Sequence, residues 1–372
     1  MLKVDTEVLI IGAGPAGSIA ALNLAPFRSV IMVDRLSEPI PRIGESLPSA
    51  ARPLLADMGL LEEFESQNHY PYYGNQFNWG TNSSIETDFL RDLNGHGWHL
   101  NRPHFEKLLR KTARNRGARI ISPAKVTSLE QYENCWKVNL LEEKGSFSIT
   151  AKALIDASGR TAPIARQIGA KRVIIDRLVC GWVIVDDKSE LVGLSYIEAV
   201  PSGWWYTAPI PNKRRIISFH TDSDLEEAVS ARDPKQLIMN VSKTQGLAQI
   251  IGNCDLQYQY IYNNGYTAAN SAVLTSCVGN AWLATGDAAL CFDPISSQGL
   301  FNAIYTGLAS AEAINRYLDG YEEALVEYKE IISDIWIAYQ KNLNQCYALQ
   351  RKWSNFLFWG RRNSNTNLKI KF

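Results

Sequence analysis

Three glycine-centred stretches hold the residues of this chain best suited to binding a phosphorylated ligand. The first is Gly12, Gly14 and Gly17, in G-x-G-x-x-G spacing directly after the apolar run Glu7 to Ile11. That spacing gives a tight turn, a close backbone approach to a pyrophosphate, and a helix packed closely on the strand before it. The helix predicted from Ala16 to Leu24 turns its N-terminal N–H groups and the positive end of its dipole toward phosphate. A second short strand, Ser29 to Val33, ends in Asp34. An acid about 20 residues beyond the glycines is placed to accept from the two hydroxyls of an adenosine ribose. The second stretch is Asp156-Ala-Ser-Gly159-Arg160, which ends the buried run Ala153 to Asp156. The third runs from Gly286-Asp287 through Asp293-Pro294-Ile-Ser-Ser297-Gln298-Gly299 into a helix predicted from Leu300 to Tyr317.

The elements that must position these stretches follow from periodicity and breakers. A loop from Arg35 to Pro48 contains Arg42-Ile-Gly-Glu45-Ser46-Leu-Pro, where glycine and proline mark irregular backbone. A helix is expected from Ala50 to Phe64, then short strands and turns in the Tyr-, Trp- and Gly-rich segment 68–99. Arg102-Pro103 opens a helix that runs to about Asn115 and stops at Gly117. Ala118 to Ser122, Lys125 to Glu130, Cys135 to Leu141 and Phe147 to Ala151 read as a β-meander. A helix follows at about Pro163 to Ile168. Between 171 and 275, alternating apolar and polar runs (Val179 to Val185, Gly193 to Ala199, Gly203 to Pro209, Arg214 to Thr221) predict an antiparallel sheet interrupted by one helix, Asp233 to Thr244. Ala281 to Ala284 returns as a buried strand, a helix extends from Tyr321 to about Asn355, and Arg361 to Phe372 is expected to fray.

The 372 residues allow two domains, or one with a large insertion. Hydrophobic content of 46%, charged content of 20% and a formal net charge of zero are those of an ordinary globular protein and argue against a nucleic-acid partner. The six cysteines form no C-x-x-C pair, which fits free thiols in a reducing compartment and no metal site. The five histidines have no metal-ligand spacing. With the first strand starting almost at residue 1 and no run of 18 apolar residues, neither a signal peptide nor a membrane span is expected, and a cytoplasmic location follows. Ten Trp and sixteen Tyr, several in polar, glycine-rich surroundings, suggest an aromatic-lined cavity.

In order and spacing, the three stretches together resemble the FAD-dependent aromatic hydroxylase superfamily, which also holds flavin-dependent halogenases and geranylgeranyl-reductase-type enzymes. The resemblance covers nearly the whole chain. It implies an α/β fold: a Rossmann-type FAD-binding domain (1–67, 100–170 and 276–320), an inserted antiparallel β-sheet substrate domain (68–99 and 171–275) and a C-terminal helical segment (321–372). By the same resemblance, Asp287 holds the flavin ribityl chain, Asp156 and Gly159 lie near the pyrophosphate, and Arg102 reaches the FAD. The Pro-x-x-x-Gln-Gly segment presents helix N–H groups to the flavin, where they stabilise negative charge. The implied FAD contacts are Gly12, Gly14, Ala16, Gly17, Asp34, Arg35, Arg42, Ser46, Arg102, Val126, Asp156, Gly159, Gly286, Asp287, Pro294, Ser297, Gln298, Gly299 and Leu300.

Gly44-Glu45-Ser-Leu-Pro48 and Asp293-Pro-Ile-Ser-Ser are similar to the halogenase-like branch. Halogenases, however, carry a W-x-W-x-I-P segment and a lysine for the oxidised halide. Here the segment reads Trp204-Trp205-Tyr206-Thr-Ala-Pro209, and no lysine occurs between Arg52 and Lys107. Gly203 to Pro211 with Asp293 to Gly299 is more similar to the LodB/GoxB-type flavoproteins, which are required for the cysteine tryptophylquinone cofactor of amino-acid oxidases. The implied function is a flavin monooxygenase that uses O2, and NAD(P)H or a separate reductase, to hydroxylate a Trp side chain of a precursor protein. A small-molecule aromatic hydroxylase, a geranylgeranyl-type reductase and a flavin-bearing maturation partner without turnover remain alternatives. Glu45, Trp204 and Tyr206 are the candidate catalytic residues. Glu45 either hydrogen-bonds substrate or orients its loop. Trp204 and Trp205 point to opposite faces of a strand, so one lines the cavity and the other packs or meets solvent. The rim of the substrate face is expected from 68–99 and the Trp204–Tyr206 strand.

Overall fold

The computed structural model describes residues 5–80, 85–88, 93–133, 135–188, 193–252, 254, 256–257, 259 and 261–363. Its first strand, Thr6–Ile11, is flanked in parallel by Val30–Val33 and by the second half of Gly145–Asp156. Arg119–Ile121 adds beyond Val30–Val33, and Trp282–Ala284 lies beyond Gly145–Asp156 on the other side. The helix Pro15–Leu24 begins three residues after the first strand. Glycine is obligatory at this turn. Gly12 has φ +109°, and a Cβ there would stand 2.2 Å from the Ala157 carbonyl oxygen. A Cβ on Gly17 would stand 1.9 Å from the Gly12 carbonyl oxygen, so helix and strand approach to backbone contact. The helices Arg102–Asn115 and Gly299–Leu318 pack against this first helix.

Several elements differ from the sequence reading. The expected separate strands at 147–151 and 153–156 are one strand, Gly145–Asp156, whose first half pairs antiparallel with Cys135–Glu142 and whose second half joins the parallel sheet. Arg119–Ile121 pairs with the nucleotide-side sheet and not with a meander. The helix expected over 50–64 is two, Ala51–Asp57 and Leu61–Glu65, broken at Gly59 with φ +65°. The one expected over 233–244 is replaced by Glu227–Arg232, Pro234–Val241 and Gly246–Ile250. Near the C-terminus, Glu323–Ala348 stops earlier than expected. Arg361 to Asn363, expected to fray, belong to the helix Leu357–Asn363, and the rest of that tail lies outside the described residues.

The second large sheet has seven strands in the order Ile261–Ala268, Leu178–Asp186, Arg214–Asp222, Gly203–Ile210, Leu194–Val200, Gly74–Asn78, Ile85–Asp88. It is antiparallel except where Leu194–Val200 meets Gly74–Asn78. One face carries Cys180, Trp182, Trp204 and Ala208, packed with Tyr347, Phe358 and Trp359 from the C-terminal helices. The other carries Val183, Trp205, Ile217 and Phe219, packed with Ala231, Leu237 and Leu247 of the three short helices. This settles the direction of the Trp204 strand: Trp204 faces the interior that leads to the ligand cavity, and Trp205 faces away. A fully buried tryptophan removes roughly 150–250 Å² from water, on the order of 4–6 kcal/mol. Trp204, Trp336 and Trp359, each under 2% exposed, therefore bind the C-terminal helices firmly to both halves.

Candidate active site

A single cavity of about 1350 Å³ runs from the glycine turn at the first helix to the interior face of the second sheet. It exceeds the roughly 300–1,000 Å³ of an ordinary ligand pocket, leaving room for a cofactor and a second ring. At its nucleotide end, Gly12, Gly14 and Ala16 line the N-terminus of the Pro15–Leu24 helix, which has no side-chain cap. A Cβ built on Gly14 meets nothing within 4 Å, so the backbone is bare toward the cavity. Gly17 and Gly286 are not on the wall: they serve helix packing, and a Cβ on Gly286 would press on Ala16 at 2.7 Å.

Asp34 lines the cavity with Arg35. Its carboxylate accepts from the Ala13 N–H at 2.6 Å and the Leu36 N–H at 2.7 Å and pairs with Arg110 at 3.4 Å, which fixes it at the strand end. Val126 and Gly159 also lie on the wall. Asp156 does not. It is fully buried, accepts from the Ser158 N–H and hydroxyl and from the Ala165 N–H, and so shapes the loop that carries Gly159 and Arg160. Burial raises its pKa. Arg160 ties three segments together: it donates to the Asn270 and Phe292 carbonyls at 2.9 Å each and sits 3.5 Å from Asp287. The Asp287 carboxylate, 37% exposed, is the acid available on this stretch of wall. Pro294, Ser297, Gly299 and Leu300 line the cavity at the start of the Gly299–Leu318 helix, while Gln298, at its N-cap, is off the wall.

Across from this helix lie Arg42 and Arg102. Arg102 donates to the Ile43 and Gly44 carbonyls and to Glu106, and Arg42 pairs with the other Glu106 oxygen at 3.0 Å. Both arginines line the cavity, and the Nε atom of each is buried without a partner among the described residues. Two lining guanidinium groups, a bare helix N-terminus at Gly14 and a carboxylate at Asp287 together fit an anionic, polyol-linked cofactor.

The candidate catalytic residues meet where the cofactor-side wall passes into the second sheet. The Tyr206 hydroxyl donates to Glu45 Oε1 at 2.6 Å and contacts the Ser46 hydroxyl at 2.9 Å. Glu45 is 3% exposed, and burial raises its pKa although the Tyr206 and Gly44 hydrogen bonds oppose this. Behind them lies His99, one of the five histidines without metal-ligand spacing. It is fully buried, with Ser46 at 3.3 Å from Nδ1 and Ser195 at 3.4 Å from Nε2, and burial lowers its pKa to about 3, so the ring is neutral. Trp204 stacks on His220 at 3.6 Å, with the planes 5° apart, and its indole N–H donates to the Tyr347 hydroxyl at 3.2 Å. Tyr347 donates in turn to Asp293 at 2.7 Å, and burial pushes the Asp293 carboxyl up to about 7. His99 and His220 carried no sequence signal beyond their place in strands.

One expectation is corrected. No described residue of 68–99 lines the cavity. Asn263 to Ala268, on the edge strand of the sheet, lie on the wall instead. Among the described residues no group of three His, Cys, Asp or Glu side chains could hold a metal ion, and no helix is long and apolar enough to cross a membrane.

Comparison with known proteins agrees with this geometry. Residues 5–331 match the FAD binding domain family. The putative FAD-dependent oxidoreductase LodB of Marinomonas mediterranea is 28% identical over 98% of both chains. Two solved structures share the fold. The myxobacterial chondrochloren halogenase CndH has a TM-score of 0.87 at 22% identity, covering 98% of this chain and 87% of that one. The peptidyl tryptophan dihydroxylase QhpG, essential for tryptophylquinone cofactor biogenesis, has a TM-score of 0.78 at 19% identity, covering 98% and 80%. The chain belongs to the FAD binding domain family and is an FAD-dependent oxidoreductase.

Proposed function

We propose that this protein hydroxylates an aromatic ring, and that the ring is a tryptophan side chain of a partner protein undergoing tryptophylquinone formation. One observation carries the reading: the FAD-side wall and the aromatic face bearing Trp182, Trp204 and Tyr206 enclose one continuous cavity, with Glu45 at their junction. Bound FAD supplies the redox chemistry with O2, its electrons coming from NAD(P)H or a separate reductase. One oxygen atom enters a ring C–H bond and the other leaves as water.

The protein's own residues bind, orient and exclude water. Gly12, Gly14 and Ala16 receive the pyrophosphate at a helix N-terminus, and Asp34 takes the ribose. Asp287, braced by Arg160, accepts from the ribityl hydroxyls. The first N–H groups of the Gly299–Leu318 helix favour negative charge on the flavin. Trp204 and Trp182 hold the substrate ring and keep water out. Glu45 accepts the proton that the ring loses when C–H becomes C–OH. A carboxylate whose pKa is raised by burial suits that task.

The full-length similarity to LodB, and the shared fold with a peptidyl tryptophan dihydroxylase, favour a protein substrate over a free metabolite. Halogenation is disfavoured by the absence of lysine between Arg52 and Lys107. The test is mass spectrometry of a co-expressed quinone-cofactor oxidase precursor. A gain of one oxygen atom on a single tryptophan, dependent on this protein, is expected. An unmodified precursor that still binds the protein would replace the reading with a maturation partner lacking turnover.

A further inference from the structure

The second sheet has two edges, and they are built differently. The edge at Ile85–Asp88 is four residues long and exposes Glu86, the short, charged form by which proteins discourage pairing with another chain. The other edge, Ile261–Ala268, is eight residues long, Ile-Tyr-Asn-Asn-Gly-Tyr-Thr-Ala, with no charge and no proline. None of its eight residues is buried. It is also the edge whose residues line the cavity.

The backbone of this strand is half used. Its inner side pairs with Leu178–Asp186, and the Ala269 N–H continues that ladder to the Leu178 carbonyl at 2.9 Å. Alternation in an antiparallel pair then turns the N–H and C=O groups of Asn264, Tyr266 and Ala268 outward. Among the described residues none of these outward groups has a backbone partner, and the Asn264 N–H is met only by the neighbouring Asn263 side chain, at 2.8 Å. Arg214 and Arg232 lie over the rings of Tyr262 and Tyr266 at 3.2 and 4.9 Å. Those contacts hold the strand through side chains, and its outward groups are met among the described residues only by the strand's own side chains, including the Thr267 hydroxyl, which donates to the Ala268 carbonyl at 3.5 Å.

We propose that this edge docks an extended segment of the protein substrate, which adds as a strand outside Ile261–Ala268 and turns its target aromatic side chain into the cavity. The inference rests on the reading that the substrate is a protein. It adds how that protein is held. Main-chain pairing gives affinity with little demand on sequence, and a side-chain pocket beside the added strand gives selectivity. Gly265 marks that pocket. It pairs with Trp182, and a Cβ at Gly265 would stand 2.8 Å from the Trp182 ring, so the indole lies flat across the strand on the cavity face. An added strand lies about 4.7–4.9 Å further out. The side chain opposite Gly265 then comes within the roughly 4.5–7 Å at which aromatic rings stack on one another, here on Trp182.

The experiment uses the FAD-loaded protein and a nine-residue capped peptide of alternating threonine and valine with one central tryptophan and a lysine at each end. Two further versions carry N-methyl groups on one or the other alternating set of backbone amides. Binding is read by calorimetry, and hydrogen exchange is followed at Asn264, Tyr266 and Ala268. The expected result is binding by the parent peptide, loss of about tenfold or more for one N-methylated version with little change for the other, and slowed exchange at the three amides. No binding by the parent peptide, equal losses for both versions, or unchanged exchange would overturn the proposal. Asymmetric binding with no oxygen added to the tryptophan when reductant and O2 are then supplied would keep the docking edge and remove the hydroxylation. Oxygen added with equal losses would do the reverse.

Discussion

Replacing Tyr206 with Phe keeps the ring and removes the one hydroxyl that donates to the buried Glu45 carboxylate, at 2.6 Å. The other donors to Glu45 are backbone N–H groups, its own and that of Gly44, the latter at 3.1 Å on the other oxygen. Burial raises the folded pKa of Glu45, so the native state holds its proton to higher pH than the unfolded chain does. This site therefore costs stability progressively as pH rises from the unfolded carboxyl range through the folded pKa. The Tyr206 hydrogen bond pulls the folded pKa down, so losing it widens that window and deepens the loss at high pH. With Glu45 protonated, the missing bond is between neutral groups and costs about 0.5–1.5 kcal/mol; with Glu45 ionised it costs about 1.5–3 kcal/mol. Urea unfolding of wild type and Tyr206→Phe at saturating FAD, followed over a pH series upward from the unfolded carboxyl range, measures the difference. The destabilisation should grow as pH rises. A loss that stays constant across the series, or none, would refute the placement of an ionisable Glu45 beneath Tyr206.

Three further outcomes follow from the same geometry. Asp287→Ala should weaken FAD binding by about 1–3 kcal/mol in an equilibrium titration, because the ribityl chain loses its carboxylate partner; unchanged affinity would remove Asp287 from the site. Trp204→Ala should lower stability by about 3–5 kcal/mol, through a cavity beside His220 and the lost bond to Tyr347, and should reduce partner modification while the flavin absorbance spectrum persists. With reduced flavin, O2, chloride and free tryptophan, no chlorotryptophan should form, and its appearance at catalytic turnover would overturn the placement outside the halogenases.

Much of the nucleotide side was legible because its signals are local. Gly12, Gly14, Gly17 and Asp34 lie within one strand–helix–strand unit, and their spacing is written in a short run of the chain. Asp156 was legible as a motif but not as a role: its carboxylate bonds Ala165, nine residues on, and that loop closure is invisible in a strand-end acid. The strand Gly145–Asp156 was read as two because it changes neighbours midway, from an antiparallel hairpin to a buried parallel pair, and its burial pattern changes with them. On the substrate side, the strands showed in the alternation but their order did not. Ile261–Ala268 reached the cavity wall, and 68–99 did not, through pairings between strands far apart in the chain, Leu178–Asp186 with Ile261–Ala268. Whether Trp204 or Trp205 faced inward depended on register, which one slip reverses. His99 and His220 are defined by what packs around them, and no spacing in the sequence encodes that.

The central claim is oxygen transfer to a tryptophan of a partner protein, and isotope labelling tests it most directly. The purified FAD-loaded protein, a reductant, the oxidase precursor and isotopically heavy O2 are combined, and the precursor is digested and analysed by mass spectrometry. The account predicts one heavy oxygen atom on a single tryptophan, absent when FAD or this protein is left out. A precursor tryptophan that carries only light oxygen from water, or that stays unmodified while O2 is consumed, would contradict it.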